Sequence, residues 1–296
     1  MPKRTLSKAT TVVIIGPGRL GTALATGLSQ RGYHIQTLIG RRASSLKKAA
    51  AVLDVPVQLL AAKDTDKFTV TDLVIVATPD DEIPTVVNGL LRHKAASTVL
   101  HTSGALSSVV LSPLAAQGWA VGSIHPLVSV SDPVVGARSF KGAFWCVEGG
   151  RQALRISRRL VRDLGGHSFS IKSAAKPLYH AAAVMTSGNI VALFDVAIDM
   201  LVKCGLKRSE ARRVLLPLLE STITNLTIKV PAKAMTGTFA RGDLATVERH
   251  LDALSQKDFA DARSLYRLLG QRALALAADN GLDRDVVRRI RARLER

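Results

Sequence analysis

Residues 12–24, VVIIGPGRLGTAL, lead an apolar segment straight into three glycines, Gly16, Gly18 and Gly21, spaced G-x-G-x-x-G. The run before them is β-branched and reads as a buried strand. The segment after them, RLGTALATGLSQRG, carries the apolar spacing of a helix ending at Gly32. In that setting each glycine has its own reason. The first permits a tight turn, the second lets a diphosphate approach the backbone, and the third lets the helix pack close to the strand. The N–H groups at the helix start then face the phosphates, with Pro17, Arg19 and Leu20 filling the loop between the glycines. A turn of this kind commits the first half of the chain to a dinucleotide-binding α/β unit.

The type of dinucleotide is legible after the second strand-like run, HIQTLIG. NAD sites usually place an acid there, about 20 residues beyond the glycines. Here the chain reads RRASS: no acid, but Arg41 and Arg42 followed by Ser44 and Ser45. Guanidinium groups suit the 2′-phosphate of NADP, and hydroxyls add hydrogen bonds. NADP is therefore the expected cofactor.

Strand-like runs DLVIVATPD, STVLHTSG, WAVGSIHP, AFWCVEG and HSFSI continue to about residue 171, interleaved with helical patterns such as RQALRISRRLVRDLGG. This predicts an α/β domain of the Rossmann type, with a mainly parallel, doubly wound sheet, over residues 1–170. Strand signals then largely vanish, and an all-helical domain is expected over 171–296. With 296 residues and 47% hydrophobic content the chain can bury two cores.

The basic N-terminus (Lys3, Arg4, Lys8) precedes an apolar run too short for a signal segment. The stretch from Ala181 to Val202 is interrupted by Asp195 and Asp199, which favours a helix buried between subunits or domains over a membrane span. Two cysteines, Cys146 and Cys204, make no disulfide framework, so a cytoplasmic setting is expected. The histidines and cysteines lack zinc-type spacing, and no metal is expected. A net charge of +18 suggests anionic partners. No nucleic-acid-binding signature accompanies it, and Val287, Ile290 and Leu294 make the Arg-rich C-terminus an amphipathic helix.

Ligands of open α/β sheets bind beyond the carboxyl ends of the strands. ATPDDEI places Thr78 and Pro79 beside the cofactor, with Asp80 as helix N-cap. HTSGAL places Ser103 and Gly104 in a turn open to nicotinamide or substrate, and IHPLVSV places His125 in extended backbone before a proline. Further on, SIKSAAKPLYHAAAVMTSGNIVALFDVA reads as one long apolar helix. Lys176 and His180 share one face of it, with Ser187 two turns beyond. Spacing alone leaves open a snorkelling lysine and a core histidine. In the second half, Arg241 can clamp a substrate carboxylate or merely order its loop with Asp243, itself an N-cap candidate; His250 stays ambiguous.

The motifs GPGRLG, ATPDDEI, HTSGAL, IHPL, KPLYHAAAV and TGTFARGD…TVERHL, in that order over about residues 11–276, resemble one family. It is a group of Rossmann-like NADP oxidoreductases whose C-terminal part is the domain of unknown function 2520, and it includes a ketopantoate reductase. Its architecture is similar to pyrroline-5-carboxylate reductase and to the 3-hydroxyisobutyrate and 6-phosphogluconate dehydrogenases. The resemblance implies an NADP-binding first domain and a helical second domain that often dimerises. One departure stands at Thr238, where proline is expected.

Related β-hydroxyacid dehydrogenases carry Lys and, four residues later, Asn on the first helix of the second domain. The matching positions here are Lys176 and His180. Either can meet the charge that develops on a reduced C=O or C=N heteroatom and supply its proton. The expectation is thus an NADPH-dependent reductase of a small 2-oxo acid, with ketopantoate first. Lys176 and His180 would be catalytic, and Ser103, Gly104, His125, Ser187 and Arg241 would bind substrate. The alternatives are a cyclic imine reductase and a non-catalytic NADP sensor.

Overall fold

A computed structural model of the protein describes residues 10–65, 67–69, 71–93 and 97–295. The basic residues Lys3, Arg4 and Lys8 lie outside the described residues. The chain divides into two compact units, one ending at Ser187 and the other beginning at Gly188.

The first unit is built on one eight-stranded sheet: β1 (Thr11–Ile15), β2 (His34–Gly40), β3 (Gln58–Ala61), β4 (Leu73–Val76), β5 (Thr98–His101), β6 (Ala120–Pro126), β7 (Phe144–Gly149) and β8 (His167–Phe169). Their order is β3-β2-β1-β4-β5-β6-β7-β8, parallel throughout except where β7 runs against β6. Among the described residues, seven α-helices belong to this unit: α1 (Arg19–Ser29), α2 (Ala43–Leu53), α3 (Ile83–Leu90), α4 (Ser112–Ala116), α5 (Pro133–Ser139), α6 (Arg151–Asp163) and α7 (Lys176–Thr186).

The sheet is wound on both faces because its central strands are apolar on both. On β1 and β4, Val12, Ile14, Leu73 and Ile75 join one core with Leu24, Phe140 and Leu160. The alternate residues Val13, Ile15, Val74 and Val76 join the other with Ile83, Val87 and Leu114. This is the two-residue period of a strand with no solvent face. The strand order reverses between β1 and β4, which opens a crevice at their carboxyl ends.

Three elements escape the sequence reading: β3, α5 and the five-residue α4. β3 is a half-exposed edge strand of four residues, too short and too unpatterned to register. α5 announces itself by Asp132, whose carboxylate accepts from the Val134 and Val135 N–H groups, ahead of Pro133 at the first helical position.

The second unit is helical: α8 (Gly188–Lys203), α9 (Arg208–Ile228), α10 (Pro231–Ala234), α11 (Thr238–Arg241), α12 (Leu244–Ala253), α13 (Ala260–Asp279) and α14 (Arg284–Leu294). Its core joins Val247, Leu251 and Leu274 to the α14 stripe Val287, Ile290 and Leu294.

The helix expected to run unbroken through residues 170–197 is broken at Ser187, whose backbone (φ −119°, ψ −84°) leaves helical space. The division between the compact units falls at this break, and Lys176 at the start of α7 is tied to the loops of the sheet. Ser173–Lys203 is long and apolar enough to cross a membrane by length and composition. Within the chain, 6% of its most apolar window is covered, so the burial between subunits or domains expected for Ala181–Val202 is not supplied by the chain's own packing. Asp195 and Asp199, which interrupt it, both pair with Arg208 at the start of α9.

Candidate functional site

The turn after β1 is shaped as its glycines predict. Gly16 has φ +88°, and a Cβ there would stand 2.8 Å from the Ala77 carbonyl group. A Cβ on Gly21 would meet the Gly16 carbonyl oxygen at 2.3 Å, so only glycine lets α1 approach the loop. Above Gly18 there is open space within 4 Å, which leaves the backbone bare for a phosphate. No side chain caps the start of α1, so its first N–H groups remain donors.

This turn forms one wall of a cavity of about 870 Å³ over the carboxyl ends of β1, β2 and β4. Arg19, Arg41, Arg42, Lys63 and Arg92 line it against one carboxylate, Glu82. Pro17, Thr78 and Pro79 line it as expected. Ser44 does not; it lies exposed on α2, and Ser45, one position on, turns into the cavity instead. Leu20 packs on the core under the loop. Arg41, after β2, forms an ion pair with Glu82, after β4, at 2.5 Å. A bare glycine cradle, a helix start and a cationic rim fit a phosphorylated dinucleotide.

A second polar cluster lies at the ends of β5 and β6. Lys176 is completely buried, and its Nζ donates to the Ser103 carbonyl and to Ser123 Oγ, both at 2.8 Å. Burial lowers its pKa, against the opposing pull of Cys146, Glu148 and Asp80. Lys176, expected as a catalytic group, therefore has its ammonium without exposed surface and engaged by the Ser103 turn.

Ser103 is likewise committed. Its hydroxyl donates to Asp80 Oδ2 at 2.8 Å and accepts the Ala105 and Leu106 N–H groups at 3.1 and 2.9 Å. Its hydroxyl thus orders the turn. Asp80, expected as an N-cap, bonds Ser103 instead, while α3 begins at Ile83 with no side-chain cap. The buried Glu148 carboxylate on β7 accepts from the Ser108 N–H and from the Ser108 and Ser173 hydroxyls, tying the approach to α7 to the sheet.

Three rings stand over this base. The His125 Nδ1 lies 2.7 Å from the Tyr179 hydroxyl. His125 also faces His180 edge-on, with centroids 5.4 Å apart. Gly104 makes the approach possible: a Cβ there would fall 2.1 Å from His180 Nδ1 and 2.8 Å from His125 Nε2. His180 Nδ1 is buried without a hydrogen-bond partner. Burial and then the Lys176 charge push His125 down to about 3, and the same two causes push the neighbouring His101 down to about 4. Both imidazoles are neutral at physiological pH. Burial raises Tyr179, which keeps its proton.

Ser187 stands apart from this cluster, about 10 Å along the helix from His180 at 1.5 Å per residue. Its hydroxyl donates to the Ala183 carbonyl. Arg241 is an exposed residue at the end of α11, in the second unit. Asp243 caps α12 by accepting the Thr246 N–H at 3.0 Å, and His250 bonds the Tyr266 hydroxyl. The sequence reading passed over Tyr179, Glu148, Lys63, Glu82 and Arg92. Tyr179 was within reach, since it lies three residues after Lys176 on the same helical face.

Comparison with known proteins places this geometry. Residues 4–126 match a Rossmann-like domain, and residues 143–273 match a domain of unknown function, DUF2520. A search of the curated proteins finds no match. Among solved structures, a Bacteroides fragilis protein provisionally named an NADP oxidoreductase is 22% identical over 90% of this chain and 98% of its own, with a TM-score of 0.74. Pyrroline-5-carboxylate reductase from Streptococcus pyogenes is 18% identical over 97% of this chain and 100% of its own (TM-score 0.61). The Plasmodium falciparum pyrroline carboxylate reductase, solved with NADP bound, is 13% identical over 96% and 97% (TM-score 0.57). The second match opens at Ala143, inside the first unit, so it takes in β7, β8 and α7 as well as most of the helical unit. The chain thus carries a Rossmann-like domain followed by a largely helical DUF2520 region.

Proposed function

We propose that the protein is an NADPH-dependent reductase of a small molecule with a C=O or C=N bond. The observation that carries this reading is one hydrogen bond, Ser103 Oγ to Asp80 Oδ2. It joins the rim of the glycine-lined cavity, at Thr78 and Pro79, to the His125–Tyr179–His180 cluster. In this reading Arg41, Arg42 and Ser45 hold the 2′-phosphate of NADP, and the start of α1 with Gly16, Gly18 and Gly21 holds the diphosphate. When bound, the nicotinamide supplies the reducing equivalent to the substrate carbon. The chain's own part is to orient the substrate, to stabilise charge on its heteroatom and to provide a proton. His125 and His180 are the groups placed to touch it. Lys176 acts from below as a fixed, water-excluded charge, where electrostatic effects are strong.

Two substrate classes follow. The family resemblance favours ketopantoate, a 2-oxo acid. The likeness to pyrroline carboxylate reductases favours a cyclic imine carrying a carboxylate. Ser187 and Arg241 remain candidates for that carboxylate. The bare apolar surface of α8 and α9, with Val191, Val214 and Ile223 exposed, fits a homodimer formed through the helical unit. Two unpaired cysteines, Cys146 and Cys204, fit a reducing cytoplasm.

The test is NADPH oxidation by the full chain with a panel of 2-oxo acids and cyclic imino acids. Turnover with ketopantoate or pyrroline-5-carboxylate supports the reading and selects the class. NADPH binding without turnover on any member favours an NADP sensor, and absence of NADPH binding ends the proposal.

A further inference from the structure

We propose that Tyr179 and His125 form a proton relay, in which the Tyr179 hydroxyl recharges Nδ1 as His125 Nε2–H protonates the substrate heteroatom. The inference deepens the reductase reading and rests on it. It is a statement about which residue hands over the proton, and it gives that part to neither Lys176 nor His180.

The geometry of the base excludes Lys176. Its ammonium is sealed from solvent and engaged by the Ser103 carbonyl and Ser123. His180 presents its buried Nδ1 to the Gly104 turn, and among the described residues that nitrogen has no hydrogen-bond partner to recharge it. His125 is different. It stands on β6 with partial exposure, and its Nδ1 is held at 2.7 Å by Tyr179. Among the described residues no protein group bonds its Nε2, which faces the Gly104 turn.

The direction of the bond follows from acidity. Burial raises the Tyr179 phenol above its ordinary range, yet a phenol still gives up its proton more readily than a neutral imidazole N–H, and an imidazole nitrogen is the better acceptor. The Tyr179 hydroxyl therefore donates to Nδ1, and the ring proton sits on Nε2. The titratable groups around the ring are Lys176, His101, His180, Cys146 and Tyr179. Among them Lys176 and the two other histidines disfavour an imidazolium at this position. A relay that never forms one suits that field.

The balance is simple. As the substrate carbon is reduced, the π pair of the C=O or C=N bond moves to the heteroatom. That pair takes the Nε2 proton while the N–H electrons stay on the ring. Nδ1 forms a bond to the Tyr179 proton while the phenol oxygen takes a proton from water, so hydroxide is left in solvent and no buried phenolate accumulates. Rotation or exchange of the ring proton then restores the starting tautomer.

Two readouts test this on the full chain. Nitrogen-15 spectra of the histidines, without and with NADPH, should show His125 neutral at pH 6, protonated at Nε2 and accepting at Nδ1. In Tyr179→Phe the Nδ1 signal should shift towards that of a free acceptor. A ring protonated at Nδ1 overturns the relay whatever the activity. With whichever of ketopantoate or pyrroline-5-carboxylate is turned over, Tyr179→Phe should lower kcat about 10- to 100-fold and change the solvent deuterium isotope effect, with NADPH Kd within about twofold. His125→Asn should lose at least as much. Unchanged kcat in Tyr179→Phe overturns the relay and leaves the reductase reading intact. If the wild-type chain reduces neither compound, it is the reductase reading that fails, and the spectra alone decide the pairing.

Discussion

The Lys176 ammonium lies 2.8 Å from the Ser103 carbonyl oxygen, beneath two neutral imidazoles and without exposed surface. This one bond ties α7 to the end of β5 and puts a positive charge under the site. Lys176→Met keeps the length of the side chain and removes the charge. Relief of a buried charge offsets the lost hydrogen bonds, so the unfolding free energy changes by less than about 2 kcal/mol. The His125 titration should move up from about 3 towards 6.5, followed by NMR. An unmoved His125 would show that burial alone sets its value.

Gly104→Ala places a methyl group where His180 Nδ1 and His125 Nε2 converge. One ring must swing away, because the contact is with both rings at once. We expect kcat to fall at least about tenfold, NADPH affinity to stay within about twofold, and stability to drop by about 1–3 kcal/mol. Steady-state kinetics and urea denaturation separate these effects. A fully active Gly104→Ala would mean that the two rings need not meet.

Removing Arg41 and Arg42 together should weaken NADPH binding about 10- to 100-fold, the scale of one or two charge-assisted hydrogen bonds, and leave NADH within about twofold. Glu82→Gln should act in the opposite direction on NADPH, since it frees Arg41 from its carboxylate partner. Titrations of both cofactors at two salt concentrations check this. Equal losses for NADH and NADPH would contradict the assignment of this rim to the 2′-phosphate.

Acid should loosen the first unit before most carboxylates titrate. Unfolded histidines take up protons near pH 6.5, whereas His101 and His125 in the folded chain wait until about 4 and 3. Between these values the unfolded state binds more protons, so stability is present above pH 6.5 and falls as pH drops towards 4. For the fully buried His101 the loss is about 3 kcal/mol. Urea midpoints between pH 7 and 4.5 should show it, and His101→Asn should flatten the slope.

How far the sequence carries can be seen residue by residue. Gly16, Gly18 and Gly21 were legible because each obeys a local steric rule that needs no tertiary knowledge. Strands β1, β4 and β5 were legible because burial on both faces leaves a continuous apolar run. Lys176 was found from its place on a greasy helix, but its burial was not. Whether a lysine reaches solvent depends on Ser103 and Ser123, which stand more than fifty residues away along the chain. Which of Ser44 and Ser45 turns into the cavity was not legible, because the rotation of α2 is set by packing against the sheet. The role of Tyr179 was not legible, because its partner His125 lies 54 residues away along the chain.

NADPH carrying deuterium at C4 of the nicotinamide, incubated with the full chain and with ketopantoate or pyrroline-5-carboxylate, follows the reduction itself. Deuterium should pass stereospecifically to the former C=O or C=N carbon of the product, at a rate that falls in both His125→Asn and Tyr179→Phe. NADPH that binds tightly and passes deuterium to neither compound would contradict the reductase reading.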